Sequence, residues 1–120
     1  MFKRYNPNPC GKKVGDCVIR AISKATGQDW HTTYINLAIY GLQNCDMPSS
    51  NVVWEKYLTD KGYSRKWANF ETIEHFCEEH PKGKYILATG SHVVAVENGD
   101  YYNVWRSGQE RIRYYFEKGE

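Results

Sequence analysis

The chain has 120 residues, enough for one hydrophobic core but not two, so a single domain with a single site is expected over residues 1–120. Its 41% apolar and 25% charged residues are ordinary for a globular protein, and a formal charge of +2 with scattered Lys and Arg argues against a polyanion-binding face. No run approaches the ~18 apolar residues that span a bilayer, and the amino terminus MFKRYNPNPCGKK lacks a signal-peptide core, which together point to a cytoplasmic protein with neither membrane nor nucleic acid as partner.

Asn6-Pro7-Asn8-Pro9, with Gly11 and Gly15, predicts an irregular arm over residues 1–15. Asp16 is then a candidate N-cap for a helix carrying Val18, Ile22 and Ala25 to a stop at Gly27, which sets Cys17 in the first turn. Asp29 can cap a second helix with Trp30, Tyr34, Leu37 and Ala38 on one stripe, ending at Gly41. The segment GLQNCDMPSS reads as loop. A third helix is expected from near Ser50 to Gly62, burying Val53, Trp54, Tyr57 and Leu58, and a fourth over roughly Glu71 to Glu79.

Beyond Pro81 the period becomes strand-like in YILAT, HVVAVE, DYYNVW and RIRYYFE, separated by Gly90, Asn98-Gly99 and Ser107-Gly108. This predicts an antiparallel meander. Helices followed by a segregated sheet is an α+β arrangement, with the N-terminal helices packed on the C-terminal antiparallel sheet.

Cysteine is a competent nucleophile when its thiolate is stabilised, as at a helix amino terminus. Cys17 is placed there, although a small buried thiol on a helix face fits the same position. Asn98-Gly99 is the preferred dipeptide of a type I′ turn, so it fixes the register of its hairpin. Glu97 then faces Asp100, Val96 faces Tyr101, Val94 faces Asn103 and His92 faces Trp105. His92, Asn103 and Trp105 share a face, with Asn103 diagonal to His92 at about 7–8 Å. Asp100 and Tyr102 fall on the other face, so Asn103 rather than Asp100 is the residue expected to orient His92.

The pieces Gly15-Asp16-Cys17 with VIRAISKATG, Gly90-Ser91-His92 with VVAV, and Asn103-Val104-Trp105 resemble the papain-like cysteine peptidases, including compact bacterial and phage forms and those that remove bacteriocin leaders. The resemblance implies a Cys17–His92–Asn103 triad, Trp105 shielding the histidine–asparagine bond, no cofactor, and a protein or peptide substrate. The glutamine with which that family donates to the oxyanion hole has no counterpart, since Gly11 stands in its place. The Cys17 N–H, with the Asn6 or Asn8 amide if the arm folds back, is the expected substitute.

Peptide or isopeptide hydrolysis, other amide acyl transfer such as deamidation or transglutamination, and a catalytically silent binding module all fit this pattern. His75, Cys77 and His80 are spread around a helix rather than converging, so no metal site is expected. Cys10 could be a redox partner for Cys17 or a plain loop thiol, Cys45 and Cys77 are expected to be free thiols, and His31 lies on an exposed face.

Overall fold

The arm is irregular only in part. In the computed structural model, which describes residues 1–118, Phe2–Arg4 forms a short strand, β1. The first helix, α1 (Cys17–Thr26), ends at Gly27, whose φ of 74° lets its N–H reach the Ser23 carbonyl. Asp16 stands at the N-cap, but its carboxylate caps nothing. It turns inward instead, to partners described below.

Helix α2 (Trp30–Gln43) is capped as expected, the Asp29 carboxylate accepting from the Thr32 N–H at 2.7 Å. It does not stop at Gly41. Its buried residues are Thr33, Leu37 and Gly41, while Tyr34 is exposed and Trp30 and Ala38 are half-buried, so the stripe facing the core is rotated from the expected one. Gly41 serves a close approach rather than a helix end: a Cβ there would lie 2.8 Å from the Asp46 carbonyl oxygen. Helix α3 (Asn51–Asp60) buries Val53, Trp54, Tyr57 and Leu58, as their spacing requires.

Strand β2 (Tyr63–Trp67) has no counterpart in the expectation, because in YSRKW only Tyr63 is buried and no apolar alternation marks it. Helix α4 (Ile73–Glu79) follows, with the Thr72 hydroxyl accepting from the His75 N–H. Four strands complete the chain: β3 (Lys84–Ala88), β4 (Val93–Glu97), β5 (Asp100–Asn103) and β6 (Tyr114–Lys118).

The Asn98-Gly99 turn, with φ of 51° and 81°, sets the register Glu97–Asp100, Val96–Tyr101 and Ala95–Tyr102. Two features depart from a simple meander. β6 passes over β5 and β4 to pair with β3 and β2, and β1 joins β5 in parallel, so the sheet is mixed and ordered β1-β5-β4-β3-β6-β2. The α+β class stands.

Helices lie on both faces of the sheet. Ile86, Ala88, Val93, Ala95 and Phe116 meet α1 and α3, while Leu87, Val94, Val96 and Tyr101 meet α4. This explains why the run VVAV, Val93 to Val96, is apolar throughout instead of alternating. α1 lies along β4, with Lys24 near its end paired to Glu97 and Cys17 at its start sharing a cleft with His92 and Val93, so its amino terminus stands at the end of the sheet where β4 begins.

Gly41 allows a sharp test, since propensity and packing predict opposite signs. Alanine in a helix interior is favoured over glycine by about 0.8–1.0 kcal/mol, but the Asp46 carbonyl leaves no room for its methyl group. Gly41→Ala is expected to lower the melting temperature; a rise would show that the loop after α2 does not press on the helix.

Candidate active site

Cys17 is the first residue of α1 and is half-buried. His92 immediately precedes β4 and is 7% exposed, held by a four-residue connection in which the Thr89 N–H donates to the His92 carbonyl at 2.9 Å. Asn103 is the last residue of β5 and is fully buried. The structure brings His92 and Asn103 together: Asn103 Nδ2 lies 2.9 Å from His92 Nε2. Trp105 covers them from outside, its ring centroid 4.5 Å from that of the imidazole. Cys17 and His92 line one cleft of about 320 Å³, whose walls include Gly15, Val18, Asn51 and Trp54. Among the described residues no hydrogen bond joins the Cys17 thiol to His92.

Parity alone would turn His92 and Asn103 towards α4, with Val94, Val96 and Tyr101, and away from α1. They reach α1 because they stand at the end of the sheet. The last recorded β4–β5 pair is Ala95–Tyr102, so neither residue is held flat in that ladder. Here Arg20 of α1 donates from Nη2 to Asn103 Oδ1 at 3.1 Å.

Arg20 is 4% exposed, and a buried guanidinium requires compensation. Asp16 supplies it, accepting from Arg20 Nη1 at 2.6 Å on one oxygen and from Trp30 Nε1 at 2.9 Å on the other. Arg20 is not among the site residues expected from the sequence. Its signal was available: an arginine between Val18 and Ile22, on the buried stripe of α1, with an aspartate four residues earlier.

These contacts decide which way the Asn103 amide faces. Oδ1 accepts from Arg20 and from the Val104 N–H at 2.8 Å, and both are donors only. Nδ2 therefore faces the two groups that can accept, Ser107 Oγ at 2.8 Å and His92 Nε2. An imidazole that accepts at Nε2 carries its proton on Nδ1. Burial is the main reason that the His92 imidazole is held below its ordinary range; the Glu110 carboxylate opposes this and the Arg20 charge reinforces it. An asparagine oxygen accepting from the ring would raise its basicity, but the amide as Arg20 holds it favours the neutral ring.

Asn6 and Asn8 do not reach the cleft. The Asn6 amide donates to the Lys12 carbonyl at 3.2 Å and accepts from the Asn8 N–H, and Asn8 Oδ1 accepts from the Cys10 N–H at 2.9 Å, so these side chains shape the arm's own turns. The oxyanion role expected of them is overturned. The cleft's side-chain amide is Asn51, the first residue of α3, whose Oδ1 accepts from Trp54 Nε1 at 3.0 Å, leaving Nδ2 as its free end. Nothing in the sequence connects Asn51 to Cys17, because a long loop and a helix separate them.

The remaining candidates lie elsewhere. Asp100 is 3.6 Å from the Met1 amino group. Cys10 and Cys45 are exposed, whereas Cys77 is buried and its thiol is pushed up to about 11 by that burial. His80 stacks on Phe76 and His75 sits by Glu79, and among the described residues no group of three His, Cys, Asp or Glu could hold a metal ion. Among the described residues no helix is long and apolar enough to cross a membrane. A wider depression of about 520 Å³ is lined by Gln28, Tyr63 and Lys61, Lys84 and Lys118, with no cysteine or histidine in its lining. No protein-family model, no curated protein and no solved structure matches the chain.

Two measurements on His92 check this assignment. In ¹⁵N spectra near neutral pH its ring should show a protonated Nδ1 and a bare Nε2; the opposite tautomer would mean that the amide is turned. Because the folded state holds this imidazole below its ordinary value, the unfolded chain binds more protons as pH falls through about 6.5. Stability should therefore decline in that window, and His92→Gln should flatten the decline.

Proposed function

We propose that this chain is a papain-like cysteine hydrolase that cleaves a peptide or isopeptide bond through a thioester on Cys17. The observation that carries the reading is the cleft shared by Cys17, at the start of α1, and His92, whose Nε2 meets Asn103 beneath Trp105. Nε2 is engaged, so Nδ1 is the ring nitrogen left for the thiol. The ten-residue helix behind Cys17 favours negative charge on its sulfur.

The reaction requires an imidazolium, and an imidazolium requires an acceptor at Nε2. Turning the Asn103 amide presents Oδ1 to the ring and frees Nδ1 to take the thiol proton. The turn gives up the bonds that Oδ1 accepts from Arg20 and from the Val104 N–H, the first about 1.5–3 kcal/mol for a bond to a charged group, against the attraction of the new ion pair. The Cys17 thiolate then attacks the carbonyl carbon, and the displaced electron pair collects on oxygen, where the Cys17 N–H and Asn51 Nδ2 are the donors on hand. As the C–N bond breaks, the His92 Nδ1 proton passes to the leaving nitrogen and the thioester remains. Water gives a proton to Nδ1 as it attacks the thioester, and C–S cleavage releases the acid.

Other amide transfers share the thioester and differ only in the acceptor. A catalytically silent binding domain is the second reading, favoured by one observation: the amide as Arg20 holds it opposes the charged imidazole.

Alkylation by iodoacetamide separates enzyme from silent domain. An active pair should label Cys17 at least about tenfold faster than Cys10 and Cys45, and His92→Ala should remove the difference; equal rates would favour the silent domain. In peptide assays Cys17→Ala should abolish cleavage. Asn51→Asp keeps the acceptor for Trp54 but deletes the donor, and should lower turnover by about 10²-fold. Unchanged turnover would remove Asn51 from the oxyanion site.

A further inference from the structure

Arg113 stands apart from the other arginines. The chain has six. Arg20 and Arg65 pair with carboxylates, Arg4 and Arg111 donate to carbonyls, and Arg106 lies over the Phe2 ring. Among the described residues the Arg113 guanidinium has no hydrogen-bond, carboxylate or ring partner, although it lines the cleft of Cys17 and His92.

Its place is nonetheless defined. The Arg113 N–H donates to the Ala88 carbonyl at 2.8 Å, and its own carbonyl accepts from the Ala68 N–H at 3.1 Å, so the root of the side chain is tied on both sides. The side chain then lies across Gly90, where a Cβ would stand 2.8 Å from Arg113 Nε and 3.1 Å from Cζ. Gly90 also has a φ of 107°, which side chains other than glycine rarely adopt. A glycine two residues before His92 thus seats a guanidinium on the cleft wall.

Nothing negative in the cleft answers that charge, because no Asp or Glu lines it. Of the carboxylates nearby, Asp16 is committed to Arg20 and Trp30 and Glu55 to Arg65 and the Tyr114 hydroxyl, while Glu110, whose charge reaches His92, does not line the cleft. A planar guanidinium with its donors free is suited to a carboxylate, which it can grip at two points.

We propose that Arg113 is the recognition residue of this cleft and selects substrates bearing a carboxylate beside the reacting carbonyl, from an acidic side chain or a chain terminus. The inference rests on Cys17 being the reacting group. It adds the class of substrate.

The test uses two reagents of nearly equal shape and different charge on the intact chain, iodoacetate and iodoacetamide, with labelling at Cys17 read against Cys10. The iodoacetate-to-iodoacetamide ratio at Cys17 should fall roughly two- to fivefold in Arg113→Gln, the range an exposed charge pair supplies, and further in Arg113→Glu. Both reagents attack the same sulfur, so any change in thiolate fraction caused by losing the Arg113 charge cancels in the ratio, and an unchanged melting temperature reports an intact fold. A ratio indifferent to both variants overturns the proposal. Two peptide sets then distinguish the sources: amidated peptides with Glu beside the cleaved bond, and neutral peptides ending in a free carboxylate. Arg113→Gln should raise KM for whichever set is preferred and leave kcat in place. Cleavage with no such preference sinks the proposal and leaves the hydrolase reading standing. Absence of cleavage with a charge-dependent labelling ratio does the reverse.

Discussion

The guanidinium of Arg20 joins the two halves of this molecule. It is buried, so it cannot stand without partners, and the partners it has belong to different parts of the fold: Asp16 ahead of the first helix and Asn103 at the end of β5. The helix that carries Cys17 and the sheet that carries His92 are thereby fixed to each other through three side chains. Removing Asp16 or Arg20 would leave the other's charge buried without compensation, a change that typically costs about 3–5 kcal/mol. Trp30 extends the anchor to α2 through the second Asp16 oxygen.

That anchor also sets the proton arrangement around His92. An asparagine side chain has two ends of similar shape and opposite hydrogen-bonding sense, and the end presented to the imidazole follows from what holds the other. With Arg20 and the Val104 N–H on the oxygen, the nitrogen is turned to the ring. The same residue that builds the site thus biases it toward a neutral histidine. Structural stability and nucleophile activation pull on Asn103 from opposite sides.

Much of the architecture was legible because it depends on local chemistry. Asp29 and Gly27 bound their helices, Val53, Trp54, Tyr57 and Leu58 mark the buried face of α3, and Asn98-Gly99 fixes a hairpin whose register can be counted. That count puts His92 and Asn103 on one face, but the expected pairs Val94–Asn103 and His92–Trp105 do not form, and the two residues meet under Trp105 beyond the end of the β4–β5 ladder. What escaped depends on contacts distant in sequence. β1 finds its partner almost a hundred residues away and β2 pairs with the last strand, so neither is marked by its own periodicity. The oxyanion roles given to Asn6 and Asn8 failed because short polar side chains beside prolines bond to their own backbone before reaching elsewhere. Arg20 is hard to read because a charge on a helix suggests solvent, and only its place on the buried stripe with Asp16 four residues earlier argues otherwise.

The strand hardest to see in the sequence closes one side of the sheet. β2 is an edge, and an edge normally offers unpaired N–H and C=O groups to any extended chain that drifts by. Ser64, Arg65 and Lys66 make that margin polar and charged, with Arg65 and Lys66 held by Glu55 and Glu117. A second molecule adding a strand there would have to strip water from those cations. The lack of apolar alternation that hides β2 from a reader of the sequence also makes it a poor template for self-association, so the sheet's continuous apolar strands remain internal to one fold.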